Sequence, residues 1–269
     1  MDEYIQANRD HWNEITPINA ASELYDLGAF KTGKRGLHSI EVDEVGDVAG
    51  KSLLHLQCHF GMDTLSWARL GARVTGVDFS DEAVELAQSL SEEIGIDARF
   101  ILCNVYDLPS ILHEQFDIVF TSYGVITWLP DLARWGRVVA RYIKPGGVFY
   151  IAEFHPFAYV FYDEQDATEL RVHYPYFHAG EPLRFEPGSY ANPGARVVSP
   201  SYDWTHSLGD VVNALIDAGL SIEFLHEFPY SVYRQLPFME KGSDGLWRLP
   251  PQHGEVPLMF SIMAIKPEE

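Results

Sequence analysis

Residues 53–80 read LLHLQCHFGMDTLSWARLGARVTGVDFS, and the fold class follows from this stretch. The apolar residues 53–56 predict a buried strand. Residues 62–70 then carry apolar side chains three residues apart, as on one face of a helix, and residues 73–77 predict a second strand. A strand, a helix and a strand joined by short turns are typical of a βαβ unit, in which the two strands are parallel.

The same alternation continues toward the end of the chain. Ser80 is an expected helix N-cap, and the residues after it have an amphipathic pattern. Further strands are predicted at residues 99–102, 118–121, 148–152, 220–228 and 257–266, and further helices at residues 132–143 and 207–218. This alternation predicts an α/β fold: a doubly wound, mostly parallel seven-stranded sheet with helices on both faces.

The composition indicates one elaborated globular domain. The chain has 269 residues, of which 46% are hydrophobic, enough apolar material for one core. Its 19 Lys and Arg residues stand against 39 Asp and Glu residues, which gives a formal net charge of −20. Nucleic acids and anionic membranes bind clustered Lys and Arg, so we expect neither as the main partner.

Cysteine usage and the first residues bear on location. Only Cys58 and Cys103 occur, too few for a disulfide framework. The start of the chain lacks the pattern of a secretory signal, and no run approaches the roughly 20 apolar residues of a membrane helix. We therefore expect a protein of the reducing cytoplasm, either a monomer or a homodimer.

Candidate binding residues lie in the loops after the predicted strands. The first strand runs into a tight turn, residues 57–61, and the second ends at Asp78, 17 residues after Gly61. Doubly wound sheets bind ligands beyond the carboxyl ends of their strands, so these loops should form the site. Asp78 can accept hydrogen bonds from both hydroxyls of a ribose, and its alternative role is to cap the following helix.

The ordered set of motifs resembles the class I S-adenosylmethionine-dependent methyltransferases. It comprises Gly61, Asp78, Asn104, the strand at residues 116–119 and the sequence Lys-Pro-Gly-Gly at residues 144–147. The resemblance covers residues 50–155. The helix and two strands within residues 207–266 also fit the closing elements of the family, including its reversed last strand. The resemblance implies S-adenosylmethionine as the cofactor.

The first motif of the family is changed in this chain. The family usually has an acid followed by three alternating glycines, and the corresponding residues here are His55, Gln57, His59 and Gly61. Gln57 and His59 therefore carry side chains where the backbone normally approaches the cofactor closely. Either their backbone angles are ordinary, or their side chains take part in the site.

The resemblance also implies roles for the loop residues. The turn of residues 57–61 should lie against the methionine part of the cofactor, and Asp78 should hold the ribose beside Phe79. Asn104 should contact the adenine edge with its amide, helped by the backbone amide of Val105, unless Asn104 only closes an Asx-turn. The implied cofactor-binding residues are Gln57, Cys58, His59, Phe60, Gly61, Asp78, Phe79, Ser80, Asn104, Val105, Tyr106, Ser122 and Tyr123.

Few catalytic groups are expected, because methyl transfer to a nucleophile needs mostly alignment. Ser122 and Tyr123 should line the site near the sulfonium. A base is needed only where the nucleophile must lose a proton, and the candidates are Glu153, His155 and His59. We prefer His155, whose side chain titrates in the working range, although it precedes a proline and has turn formation as its alternative. For His59 the alternative is a structural role in its loop.

The whole chain is expected to form one methyltransferase-like domain with four parts. Residues 1–49 should form an N-terminal helical cap, and residues 50–155 the cofactor-binding core. Residues 156–206 are rich in aromatic side chains and should form a lid insertion. Residues 207–269 should supply the closing helix and strands, with a second insertion at residues 229–256.

The expected function is methyl transfer from S-adenosylmethionine to a small molecule whose identity stays open. One alternative is a protein that binds this cofactor without catalysis. The other is an NAD-dependent oxidoreductase, in which Asp78 would also hold a ribose, but the G-x-G-x-x-G turn of that class is missing. The 11 histidines show no ligand spacing, so we expect no metal.

Overall fold

The structure is a computed structural model that describes residues 3–178 and 180–268. The helices are α1 Glu3–Ala20, α2 Leu27–Lys31, α3 Ser39–Val45, α4 Met62–Arg69, α5 Asp81–Glu93, α6 Leu132–Tyr142 and α7 Leu208–Asp217. The strands are β1 Ser52–Leu56, β2 Arg73–Asp78, β3 Arg99–Leu102, β4 Phe116–Ser122, β5 Ile143–Phe154, β6 Leu183–Phe185, β7 Ser201–Asp203, β8 Ser221–Phe228, β9 Glu240–Lys241, β10 Trp247–Arg248 and β11 Met259–Ile265.

Seven of these strands form one sheet in the order β3-β2-β1-β4-β5-β11-β8. β1 pairs in parallel with β2 and β4, whereas β11 runs antiparallel to its neighbours β5 and β8. The last strand of the chain is therefore the reversed one, and the predicted fold class is confirmed. The strand order reverses at β1, so the crevice beyond the carboxyl ends of β1 and β4 is the topological switch point.

Side chains of the central strands alternate between two hydrophobic cores. Leu54 of β1 lies in one core with Trp135 of α6 and Leu215 of α7. Its neighbour Leu53 points to the opposite face of the sheet and packs in a second core with Trp67 of α4. Because helices cover both faces, the strands read in the sequence as short, nearly continuous apolar runs.

The sequence Lys-Pro-Gly-Gly at residues 144–147 lies within a strand, not between a helix and a strand. β5 begins directly after α6, and its residue Ile143 pairs with Phe116 of β4. The next pair joins Val148 to Ile118, so residues 144–147 are looped out of the register. The turn predicted at these residues is therefore a bulge inside β5, which begins five residues before the predicted strand.

The segments outside the sheet have short elements of their own. β6 pairs with β7 within residues 156–206, and β9 pairs with β10 within residues 229–256. The side chain of Asn8 in α1 donates to the Tyr202 carbonyl at 2.7 Å and accepts from its amide at 2.8 Å, which fastens α1 to β7. None of the helices in the described residues has the length and apolar character needed to cross a membrane.

Candidate active site

A cavity of about 1200 Å³ lies where the loops beyond β1, β2, β3 and β4 meet the segments outside the sheet. Pockets for one drug-sized ligand measure roughly 300–1000 Å³, so there is room for a cofactor and a second small molecule. Residues from four loops that were implied to bind the cofactor line it: Gln57, Cys58, His59, Phe60, Gly61, Asp78, Phe79, Asn104, Val105, Tyr106, Ser122 and Tyr123.

The turn between β1 and α4 has the backbone shape of a glycine-rich turn. Gln57 and His59 have φ angles of 57° and 50°, and Gly61 has a φ of 79°. The first alternative, ordinary backbone angles at Gln57 and His59, is therefore wrong. The Gln57 side chain donates to the Val125 carbonyl at 3.1 Å, and the His59 ring lies 5.0 Å from the Trp12 ring. These contacts hold the turn in the left-handed region, which costs a non-glycine residue roughly 1–2 kcal/mol.

Asp78 is only 8% exposed at the end of β2. Its Oδ2 accepts from the His59 amide at 2.8 Å, and its Oδ1 accepts from the Ser80 amide at 2.9 Å. Burial raises the pKa of Asp78 to about 6, so the carboxylate is mostly ionised at neutral pH. Each oxygen keeps a lone pair for a ligand hydroxyl. The cap of α5 is a neighbouring residue, so Asp78 is not itself the helix cap.

Ser80 is that cap, and it does not line the cavity. Its hydroxyl oxygen accepts from the Ala83 amide at 3.1 Å and donates to Asn13 Oδ1 at 2.7 Å. The side chain therefore begins α5 and ties it to α1. Ser80 was expected to contact the cofactor, but the structure places it outside the cavity lining, with its O–H directed to Asn13.

Asn104 closes an Asx-turn at the end of β3. Its Oδ1 accepts from the Tyr106 amide at 2.9 Å. The amide oxygen that was expected to meet the adenine edge thus has one lone pair occupied already. The Tyr106 hydroxyl donates to the Asp131 carbonyl and accepts from the Asp131 amide, both at 3.0 Å. These two hydrogen bonds direct the hydroxyl away from a bound ligand.

Glu153 organises the loop that follows β4. The carboxylate is buried and accepts from the amides of Gly124, Val125, Ile126 and Phe154. Burial raises its pKa, and the four amide donors oppose that rise. Glu153 lines the cavity, but its oxygens already serve the backbone. This bonding fits a positioning residue and does not support the expected role as a base.

His155 does not line the cavity, and this corrects our preferred base. The ring is buried, with Nδ1 accepting from the Phe157 amide at 3.0 Å and Nε2 lying 2.9 Å from Glu227 Oε1 of β8. Burial lowers the pKa of His155, while the Glu227 carboxylate opposes that shift. The Nδ1 bond closes the turn around Pro156, and Nε2 faces Glu227 on the closing strand β8, so the ring is directed away from the cavity.

His59 is the remaining base candidate. It lines the cavity and, unlike His155, forms no ion pair in the described part of the chain. Its ring packs among Trp12, Tyr25 and Phe60 at centroid distances of 5.0, 5.5 and 4.3 Å. Burial lowers the pKa of His59 to about 3, so the imidazole is neutral and weakly basic at neutral pH. Its surroundings therefore suit a cavity wall better than a base. His55 of β1 is buried and also lines the cavity, with Nδ1 2.8 Å from the Thr64 hydroxyl.

Two carboxylates that bind the side chains of Ser122 and Tyr123 were not predicted from the sequence. Asp63 of α4 lines the cavity and accepts from the Ser122 hydroxyl at 3.1 Å, and burial raises its pKa to about 6. Glu41 of α3 accepts from the Tyr123 hydroxyl at 2.9 Å, and burial together with the charge of Asp63 raises its pKa to about 8. Asp63 follows Gly61 by two residues, a usable signal, but nothing in the sequence links Glu41 to this loop.

Aromatic rings from distant segments form a continuous wall. Trp12 lies 5.2 Å from Trp128, and Tyr233 lies 6.2 Å from Tyr190 and 6.1 Å from Phe154. These rings come from α1, from the loop after β4, from both insertions and from the end of β5. The N-terminal segment and both insertions therefore contribute directly to the cavity.

The lining is unbalanced in charge. The residues that the structure describes place the Asp63, Asp78, Glu153 and Asp203 carboxylates around the cavity. The Lys and Arg side chains of that same described lining are Lys34, Arg35 and Lys241, all of them exposed. Burial lowers the pKa of the lining histidines His11, His38, His55, His59 and His206, so these rings add no positive charge at neutral pH.

Comparison with known sequences relates this site to methyltransferases. The family model described as a methyltransferase domain matches residues 54–151. Among curated proteins, the chain is similar to the ubiquinone biosynthesis O-methyltransferase of Pseudomonas syringae pv. tomato, with 32% identity over 45% of this chain and 52% of that protein. The corresponding protein of Aeromonas salmonicida is 31% identical over 52% of this chain and 60% of that protein. The chain thus spans little more than half the length of these relatives.

Solved structures extend the similarity to the fold of the whole chain. An S-adenosylmethionine-dependent methyltransferase from Mesorhizobium loti has a TM-score of 0.56 at 19% identity, covering 87% of this chain and 99% of that one. Another from Clostridium acetobutylicum has a TM-score of 0.56 at 14% identity, covering 95% and 96%. The chain therefore has the fold of the class I S-adenosylmethionine-dependent methyltransferases.

Proposed function

We propose that this protein transfers a methyl group from S-adenosylmethionine to a small-molecule acceptor bound in the same cavity. The observation that carries the proposal is the meeting of four loops at the switch point of the sheet, with a buried carboxylate and a glycine-shaped turn. The match to a methyltransferase domain and the O-methyltransferase names of the curated relatives support it.

The residues of the cavity fit the parts of this cofactor. Asp78 offers two carboxylate oxygens to the ribose hydroxyls, and the turn of residues 57–61 offers backbone surface to the methionine part. In this assignment Phe79 and Val105 would hold the adenine, and the amide hydrogens of Asn104 would reach its edge. Ser122 and Tyr123, which directly precede Gly124 after β4, would line the part of the cavity that holds the sulfonium.

Bound S-adenosylmethionine supplies a methyl group that a positively charged sulfur has already activated. The chain contributes alignment of the acceptor and exclusion of water. Glu153 fixes the loop of residues 124–126 through three backbone amides, and this loop forms part of the cavity floor. The aromatic wall supplies apolar surface around the acceptor and can stabilise positive charge by cation–π contact.

The insertions support a small acceptor. We infer that residues 156–206 and 229–256 act as a lid, because Tyr159, Tyr190 and Tyr233 line the cavity. A cavity walled by such segments suits a small molecule, and the net charge of −20 disfavours nucleic acid. We place the protein in the cytoplasm, in keeping with its two free, buried cysteines, and as a monomer or a homodimer.

Calorimetric titration tests the proposal. Wild-type protein should bind S-adenosylmethionine and S-adenosylhomocysteine with micromolar dissociation constants. Asp78→Asn should weaken the binding of both at least about tenfold, because a neutral amide has only one acceptor oxygen and cannot accept both ribose hydroxyls as the charged carboxylate does. Asp81→Asn is the matched control. This carboxylate lies three residues away, pairs with Arg9 outside the cavity and should leave both affinities within about twofold.

The titration also separates the alternatives. If the protein bound NADH but neither S-adenosylmethionine nor S-adenosylhomocysteine, the proposal would be wrong and an NAD-dependent oxidoreductase would replace it. Cofactor binding without methyl transfer, in a screen of hydroxyl, amine and thiol acceptors with radiolabelled methyl donor, would favour a non-catalytic binding protein.

A further inference from the structure

Asp203 is a cavity carboxylate that the cofactor assignment leaves unused. It is the last residue of β7, in the lid and not in a loop at the carboxyl edge of the sheet. The next residue, Trp204, donates its amide to the Thr127 carbonyl at 2.8 Å, which fixes this end of β7 beside the loop after β4. Asp203 therefore belongs to the side of the cavity where an acceptor, and not the ribose or adenine, would lie.

The carboxylate of Asp203 is incompletely paired. Its Oδ1 is buried and has no hydrogen-bond partner in the described part of the chain, while the Thr127 side chain supplies one hydrogen bond to the group. Burial raises the pKa of Asp203 to about 7. A buried carboxylate without a counter-charge is costly, and a native structure that retains one has a ligand or a proton to neutralise it.

The groups around Asp203 favour a positively charged ligand. The described residues lining the cavity bring no buried Lys or Arg near the lid, and Tyr159, Trp128 and Trp204 supply aromatic surface. Aromatic faces attract cations, and an ammonium group beside a carboxylate forms a charge-assisted hydrogen bond. An anionic acceptor would instead meet several carboxylates without a compensating charge.

We propose that Asp203 binds the ammonium group of an amine acceptor in the aromatic compartment under the lid. The proposal rests on the proposed function and names the chemical class of its acceptor. The apolar body of the amine would contact the aromatic rings, and the ammonium would restore the missing partner of the carboxylate. Before transfer the ammonium passes one proton to Asp203, and the freed nitrogen lone pair then forms the N–C bond as the S–C bond breaks, which leaves a methylated ammonium, S-adenosylhomocysteine and protonated Asp203. A neutral hydroxyl acceptor is the competing class, because a hydroxyl can also donate to Asp203.

Three matched probes distinguish these classes: 2-phenylethylamine, 2-phenylethanol and 3-phenylpropionate share a ring and nearly the same length but end in an ammonium, a hydroxyl and a carboxylate. Each is titrated calorimetrically into protein saturated with S-adenosylhomocysteine. Wild-type protein should bind the amine about tenfold or more tightly than the alcohol and bind the carboxylate weakest. Asp203→Asn should weaken amine binding at least about tenfold and change alcohol binding less than about threefold.

Glu169→Gln is the control variant, because Glu169 is an exposed carboxylate of the same insertion that does not line the cavity and should leave amine affinity within about twofold. Asp203→Ser repeats the test if the asparagine variant fails to fold. Equal binding of amine and alcohol, no binding of any probe, or unchanged amine binding in both Asp203 variants would overturn the proposal. So would weaker S-adenosylhomocysteine binding in Asp203→Asn, which would move Asp203 to the cofactor. Failure of the wild-type protein to bind S-adenosylhomocysteine would instead overturn the proposed function.

Discussion

The turn after β1 requires a glycine at Gly61, because a side chain has no space at this residue. Its φ is 79°, and a Cβ added there would lie 2.7 Å from the ring of Phe100 and 3.1 Å from the Cβ of Ala87. The two other alternating positions of the family motif carry side chains in this protein, yet this one has no space for a methyl group. Gly61 therefore links the turn to the packing of α5 and β3.

Gly61→Ala should lower the free energy of unfolding by about 2–5 kcal/mol, since the left-handed backbone costs roughly 1–2 and overpacking roughly 1–3. Denaturant titration measures it. Gly95→Ala is the matched control, because Gly95 has a φ of 67° and nothing within 4 Å of its added Cβ. It should show only the backbone cost. Equal losses in the two variants would mean that Phe100 moves aside freely.

The affinity for S-adenosylhomocysteine should fall as the pH drops through about 6. Burial raises the pKa of Asp78 to about 6, so protonation removes the carboxylate that accepts the ribose hydroxyls. Below that pH the dissociation constant should rise up to about tenfold per pH unit. Calorimetry between pH 5 and pH 8 measures the effect, with Asp78→Asn as the reference, where the dependence should shrink. A flat wild-type profile would contradict the assignment of Asp78.

At the scale of elements, one polar cluster joins three strands at the edge opposite the cavity. Asp117 of β4 accepts from the Ser52 amide at 2.8 Å, from the Ser52 hydroxyl at 2.6 Å and from Lys144 at 2.8 Å. Burial alone would raise the pKa of Asp117, but these partners hold it well below its usual range. The bulge at residues 144–147 thus brings Lys144 to the start of β1 and β4.

Asp117→Asn should lower the free energy of unfolding at pH 7 by about 1–2 kcal/mol, a moderate figure because the carboxylate is 35% exposed. A lowered folded-state pKa adds stability above the unfolded pKa of about 4 and loses it as the pH falls below that value. The loss in the variant should therefore shrink on acidification.

Glu114→Gln is the comparison for Asp117→Asn. Glu114 pairs with Arg99 at 2.7 Å, but both side chains are more than half exposed, so the change should stay below about 0.5 kcal/mol. Urea titrations at pH 7 and at about pH 3, below the unfolded pKa of the carboxyl, measure both variants. A pH-independent loss in Asp117→Asn would show that its hydrogen bonds, and not its charge, stabilise the strands.

At the scale of the whole molecule, the cavity connects segments that are far apart in the sequence. Trp12 of α1, Trp128 after β4 and Tyr190 and Tyr233 of the insertions share one wall. Residues of the N-terminal segment, of the sheet and of both insertions therefore line the same cavity. We expect the whole chain to unfold as one unit, consistent with a single domain.

Saturation with S-adenosylhomocysteine at about 100 times its dissociation constant should stabilise the protein by roughly 2.7 kcal/mol. For a chain of this size, that stabilisation should raise the Tm by about 5–10 °C in one calorimetric transition. Asp78→Asn at the same ligand concentration should show a smaller shift. Two transitions, only one of them moved by the ligand, would indicate that the cap or the insertions unfold separately.

The fold and the general place of the site were predictable because they depend on local patterns. Apolar periodicity located the seven strands, and the loops beyond their carboxyl ends contain Gly61, Asp78 and Asn104, which line one cavity. The bulge in β5 was not predictable. A Pro followed by two Gly residues indicates a turn, and the same residues give no sign that β5 pairs with β4 on both sides of that turn.

The sequence by itself determined the secondary elements, their α/β class and the loops that meet at the switch point, because these follow from side-chain spacing along the chain. Only the tertiary structure decided which side chains enter the cavity. His155 and Ser80 turn away because Glu227 and Asn13 bind them, whereas Asp63 and Asp203 line the cavity. A side chain's direction and burial depend on neighbours that are distant in sequence, and no local pattern records them.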